Sequence, residues 1–383
     1  MKVLLVTNDF PPTVGGIQSY LRDFVDEVVA REGAGAIVVF ASAQDAEAAR
    51  AWDAAVPYEV VRWPESVMLP TPGVRREMTR LIRCHGVDTV WFGAAAPLGL
   101  LGAAARAAGA RRVVATTHGH EGGWAMLPGA RAALRRIGRE ADMVTYISEY
   151  TLGRLRPAFG TRPRFTWLPS GVDTSFFRPA DVDRRAATRA DLGVGQAPLI
   201  VCASRLVARK GQDQLLRALP QVRSIIDDTQ LVIVGDGSYR SRLEALTAGL
   251  APGDRDAVTF TGSVPRERLR DIVAAADVFA MPARTRMGGL DVEGLGIVYL
   301  EAQACGVPVV AGRSGGASET VVDASGIVVD GRNVGQVASA LTGILAEPDR
   351  AGRMGEMGRA FVEERFSWAE LGDRLHRVLA SES

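Results

Sequence analysis

The sequence predicts an α/β protein built from two doubly wound parallel-sheet domains with a ligand cleft between them. Apolar, β-branched runs alternate with helical stretches along the whole chain, and this pattern restarts near residue 171. The length of 383 residues also exceeds what one hydrophobic core usually organises. We therefore expect domains at 1–170 and 171–365, and a C-terminal helix at 366–383 that crosses back to the first domain.

In the first half, helices with good apolar periodicity are predicted at Ile17–Arg31, Gly73–Cys84 and Pro97–Ala108. The strands between them are almost continuously apolar, which is typical of a parallel sheet covered on both faces. They are KVLLVTN, AIVVFAS, YEVVRW, DTVWFG, RVVATTHG and MVTYIS.

The second half begins after FTWLPSGVDTSFFRP and repeats the pattern, with helices at Gln212–Ile225 and Arg266–Ala275 and three helical segments at its end. Its predicted strands are PLIVCASRL, QLVIVGDG, VTFTG, VFAMPA, VPVVAG and GIVVD. Ligands of such sheets bind beyond the carboxyl ends of the strands, so the loops at those ends are the candidates for chemistry.

Composition limits the class of protein. The chain is 47% hydrophobic and 23% charged, and no apolar run approaches the ~20 residues of a membrane span. We expect no signal peptide, and the scattered Cys84, Cys202 and Cys305 suit a reducing cytoplasm. Residues 75–164 hold 15 arginines against six acidic residues. This excess of positive charge suits binding to an anionic membrane surface, but it is too small for a protein dedicated to nucleic-acid binding.

Two strand-end loops of the first half have candidate site residues. In NDFPPTVGGIQSYL, Gly15 and Gly16 precede a helix, where backbone can approach an anionic ligand; an ordinary glycine turn is an equally good explanation. In TTHGHE, His118 is nearer the strand than His120 and is our choice for the site. No cysteine or acidic cluster completes a metal site with these histidines.

Two further loops follow the first strands of the second half. Only Lys2 and Lys210 are lysines among 45 basic residues, and Lys210 stands in SRLVARKGQD with Arg205, a pair that is suited to a diphosphate. In VGDGSYRSRL, Gly237 belongs to an incomplete dinucleotide motif, because Arg240 replaces its third glycine. The same Gly-x-Gly pattern occurs in any tight strand-to-helix turn, so it is weak evidence for a nucleotide site.

The stretch VEGLGIVYLEAQACG places Glu293 before a predicted helix and Glu301 inside it. Eight helical residues span ~12 Å, so the two carboxylates do not act on one atom as a glycosidase pair does. The spacing instead suits two hydroxyl-rich groups on either side of a phosphate held at the glycine-preceded helix start. The alternative is a helix-start glutamate plus a salt-bridged one.

Together these residues resemble the family 4 retaining glycosyltransferases of the GT-B fold, which has two Rossmann-like domains facing a central cleft. The family's E-x7-E signature matches Glu293 and Glu301, and its phosphate-binding pair matches Arg205 and Lys210. The resemblance covers essentially the whole chain. It implies that the catalytic residues are His118, Glu293, Arg205 and Lys210. It implies donor binding by Gly15, Gly16, Arg205, Lys210, Gly237, Val264, Arg268, Glu293, Gly296, Ile297 and Glu301.

Stretches such as WPESVMLPTP, VWFGAAAPL and RTRMGGLDVEG are similar to the actinobacterial members that use GDP-mannose and phosphatidylinositol monomannoside. This similarity implies transfer of mannose to the 6-position of the inositol, giving the dimannoside. It also implies that Glu301 binds the ribose, that Glu293 orients the mannose, and that Val264 and Arg268 border the base. It implies that no metal or other cofactor is needed. The choice of guanine over uracil or adenine as the base, and of mannose over glucose as the sugar, follows from the resemblance alone.

A lipid acceptor requires the protein to reach a membrane. The segments TPGVRREMTRLIRCHG and ARAALRRIGRE combine arginines with apolar residues, and we expect them to dock on the anionic inner leaflet. Ordinary amphipathic helices packed on the sheet explain each segment equally well. In the first segment the apolar residues are Val74, Met78, Leu81 and Ile82.

Three other functions fit parts of the pattern. A family 4 hexosyltransferase with another nucleotide-sugar donor or a soluble acceptor keeps the fold and the phosphate site. A redox enzyme would need a complete glycine fingerprint, which Arg240 interrupts here. A non-catalytic nucleotide-binding module would not need Glu293 and His118, and both are present. A phosphorylase needs a lysine for pyridoxal phosphate, and the chain has only two lysines.

Overall fold

The computed structural model describes residues 1–119 and 121–380, and it divides the chain into two compact units. Unit 1 comprises Met1–Gly171 and the C-terminal segment that begins at Trp368, and unit 2 comprises Val172–Ser367. Each unit is built on a parallel sheet flanked by helices, which confirms the predicted fold class.

In the described residues, the sheet of unit 1 has seven strands in the order β3-β2-β1-β4-β5-β6-β7, and that of unit 2 has six in the order β10-β9-β8-β11-β12-β13. All neighbouring strands run parallel. The strands are β1 (Val3–Thr7), β2 (Ile37–Ser42), β3 (Glu59–Trp63), β4 (Thr89–Phe92), β5 (Arg112–Thr116), β6 (Met143–Tyr146), β7 (Arg164–Trp167), β8 (Leu199–Ala203), β9 (Gln230–Val234), β10 (Val258–Gly262), β11 (Val278–Met281), β12 (Val309–Gly312) and β13 (Gly326–Val329).

The helices connect these strands, and the last one returns to unit 1. They are α1 (Gly16–Glu32), α2 (Ala46–Ala55), α3 (Pro72–His85), α4 (Gly102–Ala108), α5 (Gly122–Met126), α6 (Pro128–Glu140), α7 (Glu149–Phe159), α8 (Val182–Asp191), α9 (Gln212–Arg223), α10 (Arg240–Ala248), α11 (Pro252–Asp256), α12 (Arg266–Ala274), α13 (Ile297–Ala304), α14 (Val334–Leu345), α15 (Pro348–Arg365) and α16 (Trp368–Leu379).

The two faces of the unit 1 sheet follow from the alternation of side chains along each strand. In β1, Val3 and Leu5 pack into a core with residues of α1 and α16. Leu4 and Val6 face the other way, into a core with residues of α3 and α4. Both faces of the strand are therefore dry, and this is why its sequence is continuously apolar.

The sequence prediction missed one strand and merged two helical elements. β7 (Arg164–Trp167) is a short edge strand whose residues are exposed or half-buried, so its sequence lacks the apolar run of a central strand. The predicted helix Pro97–Ala108 is a 3₁₀ turn at Leu98–Leu101 followed by α4.

The predicted docking of apolar helix faces on a membrane is wrong for the apolar residues of α3. Val74, Met78, Leu81 and Ile82 are buried in the core of unit 1, while the arginines of α3 point outward. Leu134 and Ile137 of α6 are likewise buried. Their hydrophobic surface packs on the sheet because this removes it from water without any partner. In the part of the chain that the structure describes, no helix has the length and apolar character needed to cross a bilayer.

Candidate functional site

The loop after β1 leads into α1 through two glycines with different roles. A Cβ on Gly15 would lie 2.3 Å from the side-chain oxygen of Gln18, whose amide nitrogen donates to Asp9 Oδ1 at 3.0 Å. The end of the Gln18 side chain is flexible and can shift, so this contact alone does not require glycine at position 15. A Cβ on Gly16 would meet nothing within 4 Å, and α1 has no side-chain cap. The bare backbone at Gly16 therefore leaves the positive helix end open to a ligand.

His118 lies at the carboxyl end of β5 and is tightly oriented. Its Nε2 is 2.7 Å from the carbonyl oxygen of Gly93, which can only accept, so Nε2 carries a proton. The imidazole also packs edge-on against the ring of Tyr20 at 4.9 Å between centroids. Because Tyr20 is one turn into α1, this contact brings His118 and the Gly16 loop together in unit 1. His120 lies outside the described residues.

Glu121 shapes the same loop and was not assigned a role from the sequence. Its carboxylate is fully buried and accepts hydrogen bonds from the backbone N–H groups of His118 and Gly119, at 3.0 and 3.1 Å. Each of these bonds is charge-assisted and therefore strong. The position of His118 is thus determined by its backbone as well as by its ring.

In unit 2, Arg205 follows β8 and is exposed. Its guanidinium makes no hydrogen bond or ion pair with any residue that the structure describes. The loop after β9 packs directly on this segment: Leu206 donates its N–H to the Asp236 carbonyl at 2.9 Å. A Cβ on Gly237 would lie 2.4 Å from the Leu206 carbonyl oxygen, so only glycine permits this approach.

Lys210 and Glu293, which the sequence places far apart, form a buried ion pair. Lys210 Nζ is 2.7 Å from Glu293 Oε2, and the side chains are only 11% and 9% exposed. Gly211, at φ +80°, lets this segment approach β11, because a Cβ there would lie 2.0 Å from the Pro282 carbonyl oxygen. The sequence left open that one of the two glutamates is salt-bridged, and the structure shows an ion pair at Glu293.

The Glu293 backbone is held by the loop after β12. Its N–H donates to Ser314 Oγ at 3.2 Å, and its carbonyl accepts from the Gly316 N–H at 3.0 Å. Gly315 passes so close that a Cβ would lie 2.0 Å from the Glu293 carbonyl oxygen. The carboxylate therefore projects from a fixed backbone, as a substrate-orienting group requires.

Gly296 and Ile297 begin α13. Gly296 has φ +87°, and a Cβ on it would lie 2.6 Å from the buried ring of Tyr299, so glycine is required there. No side chain caps the helix, and Ile297 is only half-buried. The first N–H groups of α13 are therefore suited to bind an anion beside the Lys210–Glu293 pair.

Glu301 lies in the middle of α13, as predicted, and has an unusual acidity. Burial raises the pKa of its carboxyl from an ordinary 4.5 to about 7, and the positive charge of Arg266 opposes this rise. Arg266 itself stacks over the ring of Phe176 at 4.2 Å. A carboxyl with this pKa changes its charge near neutral pH, so any ligand that binds the ionised form becomes sensitive to pH.

The remaining predicted residues lie after β10, in the turn that follows it and in α12. Val264 is half-buried in the turn before α12, and Arg268 of α12 forms an ion pair with Asp191. The arginine that influences Glu301 is Arg266, two positions earlier, which the sequence analysis did not select. In residues 1–119 and 121–380, no group of three or more His, Cys, Asp or Glu side chains is arranged to hold a metal ion.

Comparison with known proteins places this chain among glycosyltransferases. Residues 14–176 match the family model described as Glycosyltransferase Family 4, and residues 184–361 match Glycosyl transferases group 1. Solved structures with similar folds include Anabaena HepE in complex with UDP and glucose (TM-score 0.78, 21% identity, 99% of each chain). Another is sucrose-phosphate synthase from Thermosynechococcus elongatus (TM-score 0.78, 22% identity, 99% of this chain and 98% of that one).

Two curated relatives match along nearly their whole length. One is the GDP-mannose-dependent monoacylated alpha-(1-6)-phosphatidylinositol monomannoside mannosyltransferase of Corynebacterium glutamicum, 55% identical over 100% of this chain and 98% of the relative. The other is the GDP-mannose-dependent alpha-(1-6)-phosphatidylinositol monomannoside mannosyltransferase of Mycolicibacterium smegmatis, 54% identical over 99% of this chain and 98% of the relative. Such identity over complete chains establishes the family.

Proposed function

The chain belongs to the family 4 glycosyltransferases, and we propose that it transfers mannose from GDP-mannose to the 6-position of the inositol of phosphatidylinositol monomannoside. The product is the dimannoside. The observation that carries this proposal is the cluster of Lys210, Glu293 and the uncapped start of α13 on adjoining segments of unit 2. It offers a cation and free N–H groups for a diphosphate next to a carboxylate for sugar hydroxyls. The names of the whole-length relatives support the particular donor and acceptor.

The residues take the following roles in this proposal. Arg205 and Lys210 bind the diphosphate and stabilise the charge that it gains as it leaves. Glu293 orients the mannose, Glu301 accepts hydrogen bonds from the ribose hydroxyls, and His118 contacts the sugar or its phosphate. Val264 and Arg268 border the base. The bond from the anomeric carbon to the diphosphate breaks as the inositol hydroxyl attacks from the same face, and its proton passes to the departing diphosphate.

No divalent metal is needed in this scheme, because the two cationic side chains neutralise the leaving group. The expectation is checked by adding excess EDTA to the transfer assay, which should leave the initial rate unchanged. A rate that collapses and returns with Mg²⁺ or Mn²⁺ would show that a metal takes part.

The donor and acceptor are tested with purified protein, radiolabelled nucleotide sugars and defined lipids. We expect label from GDP-mannose, and not from UDP-glucose, in a lipid that is one mannose heavier than phosphatidylinositol monomannoside. Phosphatidylinositol without mannose should accept little label. Transfer from UDP-glucose, or to a soluble sugar alone, would instead support the hexosyltransferase alternatives.

We further propose that the protein acts peripherally at the anionic inner face of the cell membrane. Two features of unit 1 support this. Helices α3 and α6 present exposed arginines, and each is preceded by exposed apolar side chains. Positive charge beside insertable apolar groups is a combination that favours anionic bilayers. The apolar side chains are Val67 and Leu69 before α3, 53% exposed each, and Met126 and Leu127 before α6, 55% and 63% exposed.

Vesicle sedimentation tests this surface. The protein should sediment with vesicles of anionic phospholipid at low salt, stay in solution with zwitterionic vesicles, and be released by about 0.5 M salt. Replacing Arg131 and Arg136, two of the outward arginines of α6, with glutamine should weaken sedimentation more than replacing the ion-paired Arg184 and Arg240 of unit 2. Equal sedimentation on both vesicle types would contradict the electrostatic basis.

A further inference from the structure

A pocket at the amino end of the unit 1 sheet has no role in the functional assignment so far. It lies where β5, β6 and β7 begin, whereas His118 follows the carboxyl end of β5, so the two are on opposite edges of one parallel sheet. Its volume of about 360 Å³ is within the roughly 300–1,000 Å³ that is usual for small-ligand sites. We call it the arginine pocket, and its lining residues are Arg111, Arg112, Ala141, Asp142, Met143, Arg162 and Arg164.

The backbone of three of these arginines is held at the starts of the strands. Arg111 and Arg112 both donate their N–H groups to the Asp88 carbonyl, at 2.7 and 3.1 Å. Arg164 donates its N–H to the Asp142 carbonyl at 2.9 Å. The side chains therefore converge from fixed backbone and not from a loose loop.

The pocket has a positive charge, because its four arginines face a single lining carboxylate. That carboxylate is already engaged. Asp142 Oδ2 accepts hydrogen bonds from Arg106 Nη2 at 2.6 Å and from the Val113 N–H at 2.8 Å. Arg106 is a further positive charge, so the Asp142–Arg106 pair leaves the four lining arginines without compensation.

Two other carboxylates are close in sequence to the lining residues, and neither lines the pocket. Asp88 accepts from the Lys2 backbone N–H at one oxygen and from the Thr89 hydroxyl at the other, both at 3.0 Å. Glu140 packs on α4, where a Cβ on Gly102 would lie 2.7 Å from its own Cβ. Both acidic side chains thus have contacts elsewhere.

Several guanidinium donors of the pocket are available to a ligand. Arg111 and Arg162 are exposed, and their side chains make no hydrogen bond or ion pair with any residue that the structure describes. Arg112 is half-buried and donates its Nε to the Val378 carbonyl at 2.7 Å. This bond orients its guanidinium, while Nη1 and Nη2 donate to none of the described residues.

The chemistry of the lining selects a class of ligand. Like charges that crowd one pocket repel, and an anion that accepts several hydrogen bonds relieves this repulsion. Phosphate suits several arginines at once, because it has more acceptor oxygens and more charge than a carboxylate. None of the described lining residues is aromatic, so a base would have nothing to stack on. A phosphate group is therefore favoured over a nucleobase or a single-stranded nucleic acid.

We propose that the arginine pocket is a second phosphate-binding site, in which Arg111, Arg112 and Arg162 hold the phosphate group of an anionic ligand. The same chemistry is present in a free diphosphate and in the headgroup of an anionic phospholipid. The site is separate from the diphosphate site proposed at Arg205 and Lys210, which belongs to unit 2. The inference does not depend on the proposed function.

Pyrophosphate is the soluble probe, titrated calorimetrically into the full chain with saturating GDP present, so that the proposed donor site is occupied. Wild type should still bind pyrophosphate. The double variant Arg111→Gln/Arg162→Gln should weaken this binding roughly 10-fold or more, because charge-assisted hydrogen bonds are lost. Its GDP affinity and thermal unfolding midpoint should equal those of wild type, since neither side chain bonds to a described residue.

Arg242→Gln/Arg353→Gln is the matched control. These arginines are exposed on α10 and α15, and the variant removes the same charge without touching the pocket. It should bind pyrophosphate as wild type does. An equal loss in the control and in the pocket variant would show a general effect of net charge and would overturn the proposal.

Vesicle sedimentation separates the two sources of phosphate. If the ligand is a lipid headgroup, the pocket variant should sediment with phosphatidylglycerol vesicles less than the control variant does, and neither should sediment with phosphatidylcholine. If the ligand is a free phosphate compound, the pocket variant should lose only pyrophosphate binding. The proposal fails if wild type does not bind pyrophosphate and the pocket variant sediments like the control.

A final variant asks whether the chain fills the pocket itself. Glu382 follows α16 in the sequence and lies outside the described residues. Equal pyrophosphate affinities of wild type and Glu382→Gln would support a site for an external ligand. If Glu382→Gln bound pyrophosphate roughly 10-fold tighter than wild type, a carboxylate of the chain would be the natural occupant, which would overturn the proposal.

Discussion

With Glu301 in its proposed role on the ribose, the affinity for GDP-mannose should fall steeply below about pH 7, because that role requires the carboxylate form. In the folded chain, burial raises the pKa of this carboxyl from 4.5 to about 7, against the opposing charge of Arg266. Two ribose hydroxyls need two acceptor oxygens, and protonation removes part of that capacity. Donor binding and proton binding therefore compete at the same side chain.

The size of the effect follows from this pKa. One pH unit below about 7, only about one molecule in ten has Glu301 ionised, so affinity should fall about tenfold per pH unit in that range. At about 1.4 kcal/mol per pH unit, the raised pKa corresponds to a penalty of roughly 3 kcal/mol on this half-buried carboxylate. Above about pH 8 the affinity should be constant.

The assay is calorimetric titration with GDP-mannose between pH 5.5 and 8.5, in two buffers of different ionisation enthalpy. GDP-mannose is preferred to GDP because its diphosphate is esterified at both ends and does not titrate in this range. Wild type should release close to one proton on binding at pH 6, and Glu301→Gln should bind weakly with little pH dependence. A flat wild-type profile would refute the reasoning, and so would a slope that persists in Glu301→Gln.

Three other perturbations test the site. Glu301→Gln should raise the thermal unfolding midpoint at pH 8 but not at pH 4, as measured by calorimetry. Because the pKa of Glu301 is raised in the folded chain, wild type loses up to roughly 3 kcal/mol of stability as the pH rises from about 4.5 to about 7, and glutamine has no charge to lose it with. Arg205→Met should weaken GDP binding roughly 10-fold or more in the same titration. It should not move the unfolding midpoint, because the guanidinium makes no hydrogen bond or ion pair with any described residue. Gly16→Ala should leave unfolding unchanged, because a Cβ there meets nothing within 4 Å, yet reduce transfer, because the proposed site brings phosphate against this backbone. Gly211→Ala, at φ +80° and with its Cβ 2.0 Å from the Pro282 carbonyl oxygen, should cost about 2 kcal/mol or more of stability and so lower the unfolding midpoint.

Each of these has a contrary result. An unfolding midpoint of Glu301→Gln that equals wild type at every pH would mean that the carboxylate is not penalised. A large drop in the midpoint of Arg205→Met would assign that arginine to the fold. Normal transfer by Gly16→Ala would show that no ligand approaches that backbone.

The sequence predicted the sheets well because most strands are buried on both faces, and this produces long apolar runs. It failed at β7, where an edge strand with an exposed Arg164 has no such run. For α3, periodicity showed that one face is apolar but not what covers it. Val74 and its neighbours are covered by the sheet, and this depends on tertiary packing that local sequence does not encode.

For the site, the sequence located the loops, because chemistry in doubly wound sheets collects at the strand ends. It did not predict the Lys210–Glu293 contact, since this depends on how Gly211 and Gly315 let three loops approach one another. Arg266 was also missed. In a chain with so many arginines, it does not stand out until its effect on Glu301 is known.

The most direct test of the central claim is the structure of the lipid product made from GDP-mannose labelled with ¹³C at the anomeric carbon. After reaction with phosphatidylinositol monomannoside, NMR should show the label in an α-linked mannose on the 6-position of the inositol, the configuration that a retaining transfer preserves. A β-linkage would contradict the same-face mechanism. A linkage elsewhere, or no lipid product while GDP still binds, would contradict the proposed acceptor.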